Sequence, residues 1–222
     1  MSERNIPNYE AKLRHHILQM PLNIRKATGI VIFGRRIKSL VFTTDIAIIR
    51  NCDADEVFAV YPFTPQQAIS NAIIKNSYIP VFCGVGGGTT QGERTISLAK
   101  DVESQGAIGV VLNAPISNDN LKSVSEVVDI QVVIAVVSEN TNIADRLNSG
   151  AAIINVAGGL DTPKIVRKIR NEYPNIPIIA SGGKTEESVL ATIEAGANAI
   201  TYTPPSTMEL FKNMMESYRN ND

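Results

Sequence analysis

The residues best placed to do chemistry are Ser181-Gly182-Gly183-Lys184-Thr185, where two adjacent glycines stand between an apolar run and a helix-like segment. Glycines at such a junction leave main-chain amides uncovered. Those amides aim at whatever sits over the positive N-terminal end of the helix, and an anion fits there. Lys184 adds a cation and the flanking hydroxyls add donors, a set that suits phosphate. For proton transfer the chain offers Asp45 and Glu139, each just past an apolar run. Carboxylates enclosed in a cleft can have raised pKa values and act as acid or base; the same residues also serve as simple acids at helix N-termini.

A second unusual run is Cys83-Gly84-Val85-Gly86-Gly87-Gly88-Thr89-Thr90-Gln91-Gly92. So many glycines cost folding entropy, so Gly86, Gly87 and Gly88 are read as a ligand loop that lets backbone approach a bound molecule or lets a lid close, against the ordinary alternative of a surface turn. No Gly-Lys-Ser/Thr follows, which excludes a Walker A loop. A GxGxxG count from Gly84 ends on Thr89, and one from Gly86 ends on Gln91, which excludes the dinucleotide fingerprint. Cys83 at a strand end has the position of a nucleophile but no histidine partner, so a buried structural thiol is the simpler reading. His15 and His16 are adjacent and point in different directions on a helix, so they do not make an i, i+4 metal pair. No metal-ligand constellation is present. A metal is not required, and Mg²⁺ arriving with a substrate phosphate is the compatible one.

These residues need elements to hold them. From residue 38 onward, apolar runs of strand length alternate with segments of helix length, eight of each. The predicted strands are Ser39 to Thr43, Glu56 to Tyr61, Ile79 to Cys83, Ile108 to Asn113, Gln131 to Val137, Ala152 to Val156, Ile176 to Ala180 and Ala199 to Thr203. Thr64-Pro65 and Asp161-Thr162-Pro163 place a cap residue before a first-turn proline, and Thr185-Glu186-Glu187 opens another helix. Gly106, Gly150 and Gly196 fall where helices should stop in a left-handed residue. The alternation predicts a single (β/α)8 TIM barrel over residues 38–222. Residues 1–37 do not fit the repeat: Tyr9 to Met20 reads as an amphipathic helix and Gly29 to Gly34 as an extra strand or hairpin arm, packing on the barrel as plug or brace.

In such a barrel the site belongs at the C-terminal ends of the strands. The residues there include Asp45, Tyr61, Gly86 to Gly88, Asn113, Glu139, Gly158, Gly159, Ser181 to Lys184 and Thr203. Over Asn155 to Thr203, with its Ser-Gly-Gly-Lys turn, the chain resembles the phosphate-binding (β/α)8 barrels, a group that includes sugar-phosphate epimerases, thiamin-phosphate synthase and the tryptophan-pathway barrels. The resemblance implies that the turns late in the barrel hold a substrate phosphate, here through Gly158, Gly159, Ser181, Gly182, Gly183, Lys184 and Thr203. There is a departure after strand eight, where those families carry a Gly-Ser or Gly-Ala pair and this chain has Thr203-Pro204-Pro205-Ser206-Thr207. Proline donates no amide, so hydroxyls would have to serve instead. Ala199 to Pro205 also looks like the last strand of transaldolase-type barrels. Those enzymes need a Schiff-base lysine on a strand, and no predicted strand here contains one.

Composition narrows the function classes. The formal charge is −1, from 21 Lys and Arg against 22 Asp and Glu, which argues against nucleic acid as the partner. The two cysteines stand in no CxxC pairing, no signal-type h-region opens the chain, and charged or amide residues interrupt each apolar run, so the expectation is a cytoplasmic protein that does not span a membrane. The sum is a metabolic enzyme of isomerase, epimerase or lyase type. It would act on a small phosphorylated molecule by acid/base work of Asp45 or Glu139, as a homo-oligomer. The alternatives are a barrel that binds a metabolite or partner without turnover, and a nucleotide- or flavin-binding oxidoreductase.

Overall fold

The eight runs of branched aliphatics become the eight strands of a closed, all-parallel barrel in the structure, a computed structural model that describes Pro7, Tyr9 and residues 17–220. Two short strands precede it, β1 (Ile30–Ile32) and β2 (Arg35–Ile37). The barrel strands are β3 (Ser39–Phe42), β4 (Glu56–Ala59), β5 (Val81–Gly86), β6 (Gly109–Leu112), β7 (Gln131–Val136), β8 (Ile153–Val156), β9 (Ile178–Ser181) and β10 (Ala199–Tyr202). They pair in chain order, and β10 closes on β3. Each is followed by a helix: α1 (Ile46–Arg50), α2 (Gln67–Asn76), α3 (Glu93–Ser104), α4 (Asn118–Ser125), α5 (Ile143–Asn148), α6 (Thr162–Glu172), α7 (Glu186–Glu194) and α8 (Thr207–Asn220). This is a (β/α)8 barrel.

The expected strands and observed ones coincide to within a residue or two, except at β5. There the strand starts later than predicted and runs into Gly84-Val85-Gly86, with a register shift against β6 between the two glycines. A bulge at glycine is a usual way to re-aim a strand end. Gly106, Gly150 and Gly196 all have positive φ after α3, α5 and α7, as the stop signals predict.

Closure makes residues alternate between the barrel interior and the helix layer. Leu40, Phe58, Phe82, Val111, Val133, Ile153, Ile179 and Ala199 fill the inside, one from each strand. Phe82 is wholly buried and meets Phe58 edge-on, with ring centroids 6.1 Å apart. Gly109 on the neighbouring strand makes that possible, since a Cβ there would overlap the Phe82 ring. The hairpin β1–β2 turns through Phe33 and Gly34, both at positive φ, and adds Ile30, Ile32 and Ile37 to the same interior cluster. It therefore packs against the barrel's inward-facing residues.

The predicted helix from Tyr9 to Met20 is not borne out at its C-terminal end. Its residues 10–16, with His15 and His16, lie outside the described residues. Leu18 instead bridges to Cys52, donating its N–H to Asn51 O at 2.8 Å, and the Met20 N–H binds Asp53 Oδ1 at 2.6 Å. Met20 and Ile24 then pack into the layer between strands and helices. At the other end α8 has no buried residue, and Met208, Leu210, Phe211, Met214 and Tyr218 are exposed along it. Among the described residues no helix is long and apolar enough to cross a membrane.

A carboxyl group sits inside the barrel without support. Glu56 stands two residues before Phe58 on the same face of β4, is 0% exposed, and neither carboxylate oxygen has a hydrogen-bond partner among the described residues. Burial, helped by the nearby Asp55 charge, pushes its pKa well above the usual carboxylate range. The folded chain therefore holds a proton that the unfolded chain releases. Stability is fullest below the ordinary carboxylate range and declines as pH rises toward the raised folded value. Glu56→Leu is expected to stabilise the fold at neutral pH by about 1–3 kcal/mol, the usual cost of an unpaired buried polar group. Glu56→Gln should flatten the decline of stability with pH. Urea melts from pH 4 to pH 9 check both, and an unchanged slope in Glu56→Gln would refute the assignment.

Candidate functional site

The C-terminal mouth is built from the residues that follow the interior layer on each strand. By the period of two these are Phe42 on β3, Val60 just past β4, Gly84 on β5, Asn113 just past β6, Ala135 on β7, Asn155 on β8, Ser181 on β9 and Thr201 on β10. Asn155 is placed in register between Ala135 and Ile179. It is 7% exposed, and its Oδ1 has no hydrogen-bond partner among the described residues. Ser181 and Thr201 face each other one step further along, with their hydroxyl oxygens 3.5 Å apart and Thr201 Oγ1 donating to Ala180 O at 3.4 Å. The floor of the mouth is thus neutral and hydroxyl-rich on its β8–β10 side. Sequence reading missed Asn155. The available signal was its place as the lone polar residue in Ile153-Ile154-Asn155-Val156, in phase with inward-facing Ile153.

The turn after β9 uses several of its donors internally. The Gly182 N–H reaches Thr201 O at 3.4 Å. Thr185 and Ser188 cap α7 reciprocally, each main-chain N–H donating to the other's hydroxyl at 3.2 Å. Glu187 turns its carboxylate back onto its own N–H and the Thr185 hydroxyl, contacts that lower its pKa. Gly182 is tight, since a Cβ would fall 2.7 Å from Ile200 Cγ2 and 2.9 Å from Val189 Cγ2. Gly183 is at φ +76° and a Cβ would strike Ser188. Gly183 and Lys184 remain exposed at the rim. On the neighbouring turn, Gly158 gives its N–H to Thr162 Oγ1 at 3.1 Å and abuts Ile165, while Gly159, at φ +62°, opens to solvent. Thr203 is exposed after β10.

Each of the two carboxylates has partners of its own. Asp45 caps α1, accepting from the Ala47 and Ile48 N–H groups at 2.8 and 3.3 Å, and also accepts from Thr207 Oγ1 at the start of α8. Glu139 turns toward α6 and pairs with Lys164 Nζ at 2.8 Å. That hydrogen bond and charge lower the Glu139 pKa, the reverse of the raised value expected for an enclosed acid. Cys83 is buried against the helix layer, and burial pushes its thiol up to about 12, so it is a packing residue.

The glycine-rich loop after β5 is fastened in place. The Gly87 N–H donates to Thr90 O at 2.9 Å, the Asn113 N–H to Gly86 O at 2.9 Å, Thr95 Oγ1 to Thr90 O at 3.1 Å, and the Gly92 N–H to Asn120 Oδ1 at 2.9 Å. Gly87 is at φ +104°, and a Cβ on it would sit 2.5 Å from both N and O of Asn113. These glycines therefore serve close packing of main chain on main chain, which argues against a hinged lid. Together with Val60, Tyr61, Phe63 and Asn113, Gly84 and Gly86 wall a cleft of about 270 Å³. Gly87→Ala is expected to cost 3 kcal/mol or more, combining a left-handed backbone with an overlap that main chain cannot relieve. Gly88→Ala, with nothing within 4 Å, should stay within about 0.5 kcal/mol. Denaturant midpoints of the two variants test this, and similar midpoints would refute it.

Among the described residues no three His, Cys, Asp or Glu side chains come together as a cation site. The described mouth offers amides and hydroxyls, and Asp45 and Glu139 are engaged by a helix cap and by an ion pair, a donor set unlike a site that holds a divalent cation by several protein carboxylates.

No protein-family model matches the sequence, and no curated protein matches it. Solved structures do share its architecture. A 2,3-dimethylmalate lyase, described as a PEP mutase/isocitrate lyase superfamily member, superposes with a TM-score of 0.65 at 11% identity, covering 89% of this chain and 84% of its own. Phosphoenolpyruvate phosphomutase from Streptomyces platensis subsp. rosaceus gives 0.65 at 10% identity over 82% of this chain and 81% of its own. Phosphonopyruvate hydrolase, solved with oxalate and Mg²⁺, gives 0.62 at 11% identity over 83% of this chain and 82% of its own. At these identities the likeness speaks for the fold.

Proposed function

We propose that the chain is an enzyme acting on a small anionic metabolite, a phosphorylated one by preference, at the C-terminal mouth of the barrel, by chemistry of the lyase, isomerase or epimerase kind. One observation carries the reading: Asn155 is buried in the mouth with its Oδ1 unpaired. A buried amide oxygen without a partner costs stability, and a substrate donor would relieve it. In this reading Asn155 orients the substrate from below. Ser181 and Thr203 supply hydroxyls. Gly158, Gly159, Gly182, Gly183 and Lys184 form the anion-holding rim, with the free donors at Gly183 and Lys184. Asp45 is the group assigned to proton transfer, and Glu139 holds the rim through Lys164. The lyase, phosphomutase and hydrolase names of the structural neighbours support this class at the level of the fold. Mg²⁺ would enter with the substrate's own phosphate.

A second reading is favoured by a specific observation. Asp45, Glu139 and Cys83 are all engaged, by a helix cap, by Lys164 and by burial. A barrel that binds its metabolite without consuming it needs none of them free.

Thermal shifts against sugar phosphates, phosphonates and short dicarboxylates test the shared premise. A ligand at 100 times its Kd stabilises the native state by about 2.7 kcal/mol. That shift is expected to fall at least tenfold in apparent affinity in Asn155→Leu and in Lys184→Ala, and product analysis on the ligand that shifts separates turnover from binding. No shift with any anion, or one unmoved by Asn155→Leu, would sink both readings. The reading includes a homo-oligomer that covers the exposed apolar residues of α8. Light scattering is expected to return a multiple of 24.0 kDa that Phe211→Asp with Met214→Asp reduces, and a monomeric native chain would dismiss it.

A further inference from the structure

The cleft between the β4–α2, β5–α3 and β6–α4 loops has a character unlike the anion rim across the mouth. Among the described residues no Asp, Glu, Lys, Arg or His lines it. Pro62, Phe63 and Pro65 line it, and Phe63 is 74% exposed. Gly84, Gly86 and Gly88 also line it and contribute main chain without side chains. An exposed aromatic ring in a cleft lined partly by bare main chain can accept a flat group by stacking. The prolines limit the freedom of the segment that carries the ring, and the hydrogen bonds that fix Gly86 to Gly92 limit that of the glycine-rich segment, so little order need be imposed on binding.

Asn113 also lines the cleft. Its main chain is clamped by Gly86 O and Ile116 N–H, while its side-chain amide makes no hydrogen bond within the described residues and is exposed. A carboxamide presents a donor and an acceptor side by side, which matches the edge of a nitrogen heterocycle or a planar amide. Thr89 adds a hydroxyl at the rim. The volume, about 270 Å³, lies just under the 300–1,000 Å³ usual for whole small-molecule sites, so it suits one ring system and excludes an extended dinucleotide.

We infer that this cleft binds a planar, uncharged nitrogen heterocycle of one or two rings, stacked on Phe63 with its edge read by Asn113. The inference stands on the cleft alone and does not depend on the anion reading. If both hold, the ligand spanning the mouth carries a heterocycle at one end and an anion at the other.

The chain contains no Trp, so Phe63→Trp places a single tryptophan in the cleft, excited selectively over the six tyrosines at the red edge of the absorption band. Adenine, nicotinamide and uracil are titrated into this variant, with N-acetyltryptophanamide as the collisional control. Saturable quenching by at least one heterocycle, beyond the control, is expected. Adding Asn113→Ala should weaken it about tenfold, one lost bidentate contact at about 1.4 kcal/mol per decade. Adding Asn155→Leu should leave it unchanged, which separates this site from the anion site. Quenching that merely follows the control, or that is unmoved by Asn113→Ala in a variant whose melting temperature is native, would overturn the inference.

Discussion

Everything in this molecule depends on filling the inside of a closed eight-stranded barrel. Parallel pairing from β3 round to β10 forces each strand to turn every second residue inward, and the enclosed space must then be filled without voids. Phe82 and Phe58 supply most of the bulk on one side, and Gly109 yields the space that Phe82 takes. The opposite side is filled by smaller residues, down to Ala199. The hairpin β1–β2 completes the packing with three isoleucines, which explains why a segment outside the repeat is needed at all. Glu56 is the exception: a carboxyl placed where the fold wants a hydrocarbon, at a cost that the surrounding apolar packing has to offset.

The same alternation decides what reaches the mouth. Once Ile153 faces inward, Asn155 must face inward too; once Ile179 does, so must Ser181; and Thr201 follows Ala199. The polar floor is therefore a consequence of strand phase rather than of loop conformation, and it is as rigid as the barrel. Loops add the rim. On the β9–β10 side they present glycine amides, Lys184 and hydroxyls; on the β4–β6 side they present proline, an exposed phenylalanine and bare main chain. Two halves of one opening thus differ in chemistry while resting on one scaffold, as barrels that vary function through their loops do.

Local electrostatics also sorted the titratable candidates. Glu139 and Asp45 were equivalent as acids past a strand, yet one lies within reach of Lys164 on α6 and the other within reach of two α1 amides and the Thr207 hydroxyl. An opposite charge at 2.8 Å lowers a carboxyl pKa, so Glu139 is held ionised where proton transfer would want it poised. Cys83 shows the reverse case, a thiol raised by burial until it is inert at ordinary pH.

The barrel was legible in the sequence, because strand-length, β-branched runs recur eight times and the first-turn proline of α6 and the helix stops at Gly106, Gly150 and Gly196 punctuate them, whereas Pro65 falls outside α2, which starts at Gln67. The sequence also located the mouth and the turns that line it. What it could not determine was which group each polar side chain would meet. Glu139 finds Lys164 25 residues away, Asp45 finds Thr207 162 residues away, and Gly87 is a glycine because of the main chain of Asn113. Asn155 was invisible as a site residue because a single asparagine in an apolar run acquires meaning only when closure of the barrel buries it without a partner. Tertiary structure decided these matters for one physical reason: hydrogen bonds, ion pairs and steric overlap depend on distances of a few ångströms between residues far apart in the chain, and only the folded packing fixes those distances.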